Sequence, residues 1–295
     1  MSSLLDPKIL MAIKDLSLAA KTTVDGFMTG IHKSKVRGAG MEFSQYRSYQ
    51  PGDDLRSLDW KMFARSDRYY IRESEIETSI SVRFLIDASA SMNHQDGGFT
   101  KMKFAKYIAA SLSYLSHSQG DAVGLYLFRN NDLFALPSRK DHQHLTRMLH
   151  QLERLEAGGK FTEAVNYRNT FLGSQKRELF VFLTDLYQIN NEIIQMLELV
   201  TSLRHEVIVL HLMAENEMDL KYGDFTILED LETGQVVKID PTQATLLYKQ
   251  RLNEYLADVR RQLLEKNIFY RLLKMNEPIG TVLRDFLNQR NKLKG

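Results

Sequence analysis

The sequence predicts an α/β protein built on a mostly parallel sheet with helices on both faces. From residue 80 onward, short apolar runs alternate with amphipathic stretches that have helical periodicity. Such runs are typical of strands buried on both faces. With 295 residues, the chain is long enough for a sizeable core. Residues 80–295 are therefore predicted to form the α/β domain, and residues 1–79 an N-terminal extension.

The N-terminal extension has a different composition from the rest. Apolar residues at helical spacing predict a short helix over residues 5–20, whereas residues 21–79 are polar, basic and rich in turn signals. This stretch predicts irregular structure with short strands. Within it, the charged segment 49–65 is interpreted as a solvated turn region held by ion pairs, with Trp60 as a packing anchor. A docking surface for a partner is the alternative.

The first half of the predicted domain contains two strands and two long helices. The apolar run at residues 82–86 and the β-forming run at 122–128 predict strands. Helical periodicity predicts helices over 101–117 and 139–156. A further helix is predicted over 162–172, where the chain leads toward the next apolar run.

The second half repeats this alternation around one local insertion. Strands are predicted at 179–183, 207–212 and 268–273, and helices at 190–204, 241–266 and 279–292. Pro241 suits the first turn of the long helix that it opens. Two short β-forming runs flank Glu232-Thr233-Gly234, which predicts a hairpin insertion near residues 225–240.

Composition limits the possible function classes. The net charge of +2 provides no strong field for nucleic acid or acidic lipid, and the absence of cysteine excludes disulfides and thiolate metal sites. No apolar run approaches the roughly 18 residues that a membrane-spanning helix needs. Charges near the start also make it a poor signal peptide. We therefore expect a soluble cytoplasmic protein without a membrane span and without nucleic-acid binding.

Five oxygen-bearing residues predict a metal site. In an open parallel sheet, ligands bind at the carboxyl ends of strands, and Asp87 and Asp185 each directly follow a predicted strand. Ser89 and Ser91 follow Asp87 at a spacing of two, so that one tight loop turns a carboxylate and two hydroxyls toward a common point. Thr162 ends the segment Gly-Gly-Lys-Phe-Thr, in which the glycines allow a sharp turn. Hydroxyl and carboxylate oxygens suit Mg²⁺, and Mn²⁺ or Ca²⁺ is also compatible.

This pattern resembles the metal-ion-dependent adhesion site of von Willebrand A domains. In that family, Asp-x-Ser-x-Ser follows the first buried strand, and a threonine from a second loop and an aspartate after a later strand complete the site. Thr162 and Asp185 match those two positions in order and context, although Lys160 stands where many relatives have the threonine. The resemblance implies that Ser89, Ser91 and Thr162 coordinate by hydroxyl while the aspartates balance the charge.

A narrower resemblance covers nearly the whole chain. It is carried by the motifs at residues 38–43, 46–54, 58–60 and 229–234. These are similar to a bacterial A-domain family catalogued as the fifty-eighth domain of unknown function. Its members commonly accompany MoxR-type AAA+ ATPases and are thought to act as adaptors. The resemblance therefore implies an adaptor or chaperone-like partner of such an ATPase.

Three functions remain open at this point. The first is a non-enzymatic module whose metal accepts a carboxylate from a protein partner. The second is a phosphoryl-transfer hydrolase with Asp87 as nucleophile, but Ser89 stands where such enzymes carry the acid that protonates the leaving group. The third is a structural scaffold that needs no metal. We expect the first, because hydroxyls replace the acids that a hydrolase requires.

Overall fold

The fold is described by a computed structural model. It describes residues 6–36, 46–51, 53–55, 58–72, 79–129, 132–161, 168–171, 177–188, 191–219, 226–239 and 241–294. The chain divides into two compact units, one of residues 1–27 with 79–295 and one of residues 28–78. The predicted extension of residues 1–79 is thus shared between the units, because the first part of its helical region packs with the α/β unit.

The larger unit alternates strands and helices in the predicted order. Its strands are β3 (Ser81–Asp87), β4 (Gln95–Asp96), β5 (Phe99–Thr100), β6 (Ala122–Arg129), β7 (Asp132–Arg139), β8 (Leu179–Thr184), β9 (Glu206–Met213), β10 (Thr226–Glu229), β11 (Val236–Ile239) and β12 (Phe269–Lys274). Its helices are α1 (Pro7–Leu10), the first part of α2 (Leu16–Val36), α4 (Lys101–Ser118), α5 (His142–Arg154), α6 (Arg168–Phe171), α7 (Glu192–Ser202), α8 (Glu215–Asp219), α9 (Pro241–Glu265) and α10 (Ile279–Lys294). A short 3₁₀ helix spans Ala90–Asn93.

The central sheet has six strands in the order β12-β9-β8-β3-β6-β7. All neighbours are parallel except β7, which pairs antiparallel with β6 at one edge. Strand β3 lies inside the sheet between β6 and β8. The carboxyl ends of β3 and β8 are therefore adjacent, which is the position that the sequence predicts for a site.

Two successive residues of β3 show that helices cover both faces of the sheet. Phe84 packs near Phe286 of α10, with ring centroids 6.4 Å apart. Its neighbour Leu85 belongs to a buried cluster with Met196 of α7 and Leu263 of α9. Successive strand residues point to opposite faces, so the two helix layers lie on opposite sides of the sheet. This arrangement confirms the predicted von Willebrand A-like fold class.

Some elements differ from the prediction. The helix predicted over residues 5–20 is divided into α1 and α2, and α2 continues to Val36, whereas residues beyond 20 were predicted to be irregular. Strand β7 was not predicted, because its apolar run over residues 133–136 is short and is followed by Pro137, which disfavours a central strand. Helix α5 begins at His142, not at residue 139, because the Asp141 side chain accepts the His144 N–H at 2.7 Å and caps the helix. Of the helix predicted at 162–172, residues 162–167 lie outside the described part.

The smaller unit pairs β1 (Tyr46–Ser48) antiparallel with β2 (Tyr70–Arg72) and contains α3 (Trp60–Ser66). Asp59 caps α3 by accepting the N–H groups of Lys61 and Met62. This cap gives Asp59 the structural role that was predicted for the charged segment. Trp60 is 62% exposed, so its prediction as a packing anchor is wrong. Phe63 packs instead, with its ring 4.5 Å from that of Tyr69.

A buried ion pair fixes the closing helix α10. Arg290 and Asp121 are almost completely buried, and Arg290 Nη2 donates to Asp121 Oδ1 at 2.8 Å while its Nε donates to the other carboxylate oxygen. The backbone N–H of Ile80 also donates to Asp121 at 3.2 Å. The pair therefore links α10 to the chain segments that precede β3 and β6.

We predict that Arg290→Ala lowers the free energy of unfolding by about 3–5 kcal/mol, because it leaves the Asp121 carboxylate buried without its partner. Urea denaturation measures this change. The control Arg284→Ala removes an exposed arginine of the same helix and should stay within about 0.5 kcal/mol of the wild type. Equal stability of the two variants would show that the ion pair does not hold the helix.

Candidate metal centre

Two aspartates meet at the carboxyl ends of β3 and β8. Asp87 is the last residue of β3, and Asp185 directly follows Thr184 at the end of β8. The strands are parallel neighbours in register, with Ile86 opposite Leu183. The pairing alone therefore brings both carboxylates to one edge of the sheet. Both aspartates are buried.

The loop after β3 turns both serines toward these aspartates. The backbone N–H of Ser89 donates to Asp87 Oδ1 at 3.0 Å, which folds the loop back on the strand end. A 3₁₀ turn then carries Ser91 onward. The hydroxyl oxygens of Ser89 and Ser91 lie 3.0 Å apart, and Ser91 Oγ donates to Asp185 Oδ1 at 3.1 Å. The structure thus joins four of the five predicted site residues by direct hydrogen bonds or strand pairing.

The fifth predicted residue, Thr162, lies outside the described residues. The loop that leads to it is described as far as Phe161. Its backbone pairs with the serine loop: Ala90 N–H donates to Gly159 O, and Gly158 N–H donates to Ala88 O, each at 2.8 Å. Gly159 has a φ of 71°, a conformation that glycine adopts without the strain of a side chain. The predicted turn at the glycine pair is therefore present beside the site.

Asp87 is a strongly perturbed acid. Burial raises its pKa to about 7, and the nearby charge of Asp185 contributes to this rise. Hydrogen bonds from Ser89 and from Thr184, whose hydroxyl donates to Asp87 Oδ2 at 2.7 Å, act in the opposite direction. Without a cation, the Asp87 carboxyl group thus titrates near neutral pH. Any additional positive charge here would favour its ionised form.

Lys101 supplies positive charge that the sequence analysis did not assign to the site. Its buried ammonium lies 3.0 Å from Asp185 Oδ2 and 2.6 Å from Glu217 Oε1. Burial alone would raise the pKa of Asp185, but the charge and hydrogen bond of Lys101 lower it below its ordinary value. Glu217 lies in α8, the short helix that follows β9. Its position near the end of a third strand is a signal by which the sequence could have identified it. Lys101 opens α4 and has no such signal.

Glu232 is the second residue that the sequence analysis did not assign. It lies in the hairpin insertion, in the motif at residues 229–234 that carries the family resemblance. Burial raises the pKa of its carboxyl group, and the charge of Asp185 adds to this rise, whereas the nearby hydroxyls of Ser89 and Ser91 lower it. Its Oε1 atom is buried and has no hydrogen-bond partner within the described part of the chain.

The oxygen atoms of this centre fit a small hard cation held partly by hydroxyls. No group of three or more His, Asp or Glu side chains in the described ranges is arranged to hold a metal alone. A metal here would therefore need the hydroxyls of Ser89 and Ser91 beside a carboxylate, which is a donor set that Mg²⁺ accepts. The buried Oε1 of Glu232 adds an oxygen that has no hydrogen-bond partner among the described residues.

Comparisons with known proteins identify relatives by sequence. The family model described as "Protein of unknown function DUF58" matches residues 45–258. Uncharacterized protein Rv1480 of Mycobacterium tuberculosis is 27% identical over 241 residues, which cover 80% of this chain and 75% of that protein. The range that the family model matches includes the serine loop, both aspartates and the hairpin with Glu232.

Two solved structures from Bacteroides are similar to the chain at low identity. An aerotolerance-related membrane protein from Bacteroides fragilis NCTC 9343 is 18% identical, with a TM-score of 0.47 over 72% of this chain and 100% of that one. The conserved hypothetical protein BatB from Bacteroides thetaiotaomicron is 15% identical, also with a TM-score of 0.47, over 72% of this chain and 98% of that one. Both likenesses concern the fold.

The name of the Bacteroides fragilis protein contradicts the predicted location. That neighbour is a membrane protein by name, so the expectation of a cytoplasmic protein is wrong. The physical reason is that the composition of a folded α/β domain does not by itself determine its compartment. The absence of cysteine and a near-neutral charge therefore do not identify the location. Within the described ranges, no helix combines the length and the apolar character that a membrane crossing requires.

We predict that Lys101→Met lowers the free energy of unfolding in EDTA by about 3–5 kcal/mol, because Asp185 and Glu217 lose their buried cation. Urea denaturation provides the measurement. Lys103→Met is the matched control, since that lysine is exposed two positions further in the first turn of α4, and it should change stability by less than about 0.5 kcal/mol. A loss below about 1 kcal/mol for Lys101→Met would contradict the assigned role.

Proposed function

Because the chain belongs to the family described as protein of unknown function DUF58, and because its two strand-end aspartates meet two serine hydroxyls, we propose that it is a non-enzymatic, metal-dependent protein-interaction module. The ion is Mg²⁺, with Mn²⁺ or Ca²⁺ as possible substitutes. The partner presents a carboxylate, and the bound ion supplies a positive charge that attracts it.

The hydrogen-bonded row from Ser89 through Ser91 to Asp185 is the observation that carries this proposal. Ser89 and Ser91 would hold the ion by their hydroxyl oxygens, together with Thr162 from the second loop. Asp87 and Asp185 would balance its charge and orient these hydroxyls. Hydroxyls are neutral ligands, so they leave the ion a stronger acceptor for a partner's carboxylate than carboxylate ligands in the same positions would.

A cavity of about 470 Å³ opens beside this row. Ser91, Asp185 and Lys101 line its polar side, and Leu228 and Val237 of the hairpin line its apolar side. A peptide segment with a carboxylate next to an apolar residue matches this combination. The cavity supports a protein partner because Leu228 and Val237 offer an apolar contact to a peptide side chain beside the polar row.

The burial of Asp87 supports a role without catalysis. Its side chain is 0% exposed, and its carboxylate oxygens accept hydrogen bonds from Ser89 N–H and the Thr184 hydroxyl. A nucleophile must instead reach its substrate. The position two residues later is Ser89, which is a poor acid at neutral pH. The hydrolase alternative therefore lacks the acid at the position where such enzymes carry it.

A MoxR-type AAA+ ATPase is the partner that we propose, and the support for it is the family resemblance alone. The experiment that tests it is affinity purification from the native cell with Mg²⁺ or with EDTA. We expect an AAA+ ATPase among the proteins that wild-type chain captures only with Mg²⁺. Equal capture by wild type and Asp87→Ala would exclude a metal bridge.

We predict that calorimetry detects Mg²⁺ binding to the wild type and that Ser91→Ala weakens it roughly 10–100-fold, because the ion loses a hydroxyl oxygen next to Asp185. Asp185→Ala should weaken it at least as much. The control Asp258→Ala removes a partly exposed carboxylate of α9 and should leave the affinity unchanged. Unchanged affinity in Ser91→Ala and Asp185→Ala would contradict the assigned ligands.

A further inference from the structure

The turn between β10 and β11 is held in a defined shape by Asp230. One carboxylate oxygen, Oδ1, accepts the backbone N–H groups of Glu232 at 2.8 Å and Thr233 at 3.1 Å. The backbone of Gly234 closes the turn by donating to Asp230 O at 2.7 Å. The position of Glu232 is therefore set by local hydrogen bonds.

The same turn is attached to the loop that carries Asp185. The hydroxyl of Tyr187 donates to Asp230 Oδ2, and the backbone N–H of Tyr187 donates to Asp185 Oδ1 at 3.2 Å. One residue thus contacts both the metal-centre aspartate and the hairpin turn. This attachment holds the hairpin over the centre.

Glu232 points inward whereas its neighbours in the turn do not. Leu231 and Thr233 are exposed, but the Oε1 atom of Glu232 is fully buried, and the Ser89 and Ser91 hydroxyls are near enough to lower the pKa of its carboxyl group. A solvated turn residue would direct its carboxylate to water, because a buried oxygen without a hydrogen bond costs free energy. The inward position therefore indicates that the carboxylate faces the centre and not the solvent.

The hairpin is a separable element. Strands β10 and β11 pair only with each other among the described strands and form a sheet apart from the six-stranded one. Exposed apolar side chains, such as Ile227 and Val236, cover part of it. A two-stranded ribbon is marginally stable by itself. Its position over the centre thus depends on a few contacts, of which Glu232 and Tyr187 are two.

We propose that Glu232 is a built-in carboxylate that occupies the position of the partner's carboxylate, so that the hairpin closes the site until a partner displaces it. This inference rests on the proposed function, since it assumes that the site accepts a carboxylate. It also defines the ligand class, because a partner that replaces Glu232 must itself present an acidic side chain. Binding by such a partner releases the hairpin from the centre.

Hydrogen–deuterium exchange of the hairpin peptides in EDTA tests the closure without any metal. Glu232→Ala should raise the exchange rates of residues 226–239 about tenfold, as the loss of one hydrogen-bonded contact implies. Glu229→Ala removes an exposed carboxylate of the same hairpin and should leave the rates unchanged. In a Ser89→Ala/Ser91→Ala background, Glu232→Ala should add nothing further, because the contact is already absent. Rates that rise equally in both backgrounds, or in neither, would overturn the inference.

Bound Mn²⁺ provides the second measurement. Water-proton relaxation counts the water molecules on the ion, and Glu232→Ala should raise this number by about one relative to wild type and Glu229→Ala, since a vacated ligand position fills with water. An unchanged number would overturn the inference. If none of the three proteins binds Mn²⁺, the proposed function fails, and the exchange comparison decides the inference.

Discussion

The burial of two carboxylates at one edge of the sheet is the constraint on which the rest of the centre depends. Parallel pairing of β3 and β8 brings Asp87 and Asp185 together, and neither can turn to solvent. Each buried charge requires compensation. The surrounding polar groups provide it: hydrogen bonds from Ser89 and Thr184 reach Asp87, and those from Ser91, Tyr187 and Lys101 reach Asp185.

The fold was largely predictable because its signals are local. Strands buried on both faces are continuous apolar runs, and the helices between them have a period of 3.6, so the order of elements follows from the sequence. The edge strand β7 was not predicted because all of its residues are exposed or only partly buried, so that it lacks the signal of a core strand. The continuation of α2 to Val36 did have a signal, since the buried Val24 and Phe27 extend its apolar face.

The centre was predictable only where a residue lies at a strand end. Asp87 ends β3, and Asp185 directly follows β8, so the sheet alone brings these two residues together. The two serines lie within four residues of Asp87, in the loop that begins there. Lys101, Glu217 and Glu232 approach from a helix start, a short helix and a hairpin turn. Their positions depend on tertiary packing, which spacing does not encode. The motif around Glu232 was visible as a family resemblance, but only the structure gives its carboxylate a contact.

Lys101 and a metal ion need not compete for Asp185, because they would contact different oxygens of its carboxylate. The ammonium bonds to Oδ2, whereas Oδ1 faces Ser91. Lys101 therefore keeps Asp185 ionised whether or not an ion is bound, and the serine loop retains its anchor. Asp87, with a pKa near 7 and no ammonium bonded to it within the described residues, is the carboxyl group whose protonation can adjust to the loss of the ion. One aspartate thus maintains the geometry of the centre, and the other absorbs the change in its charge.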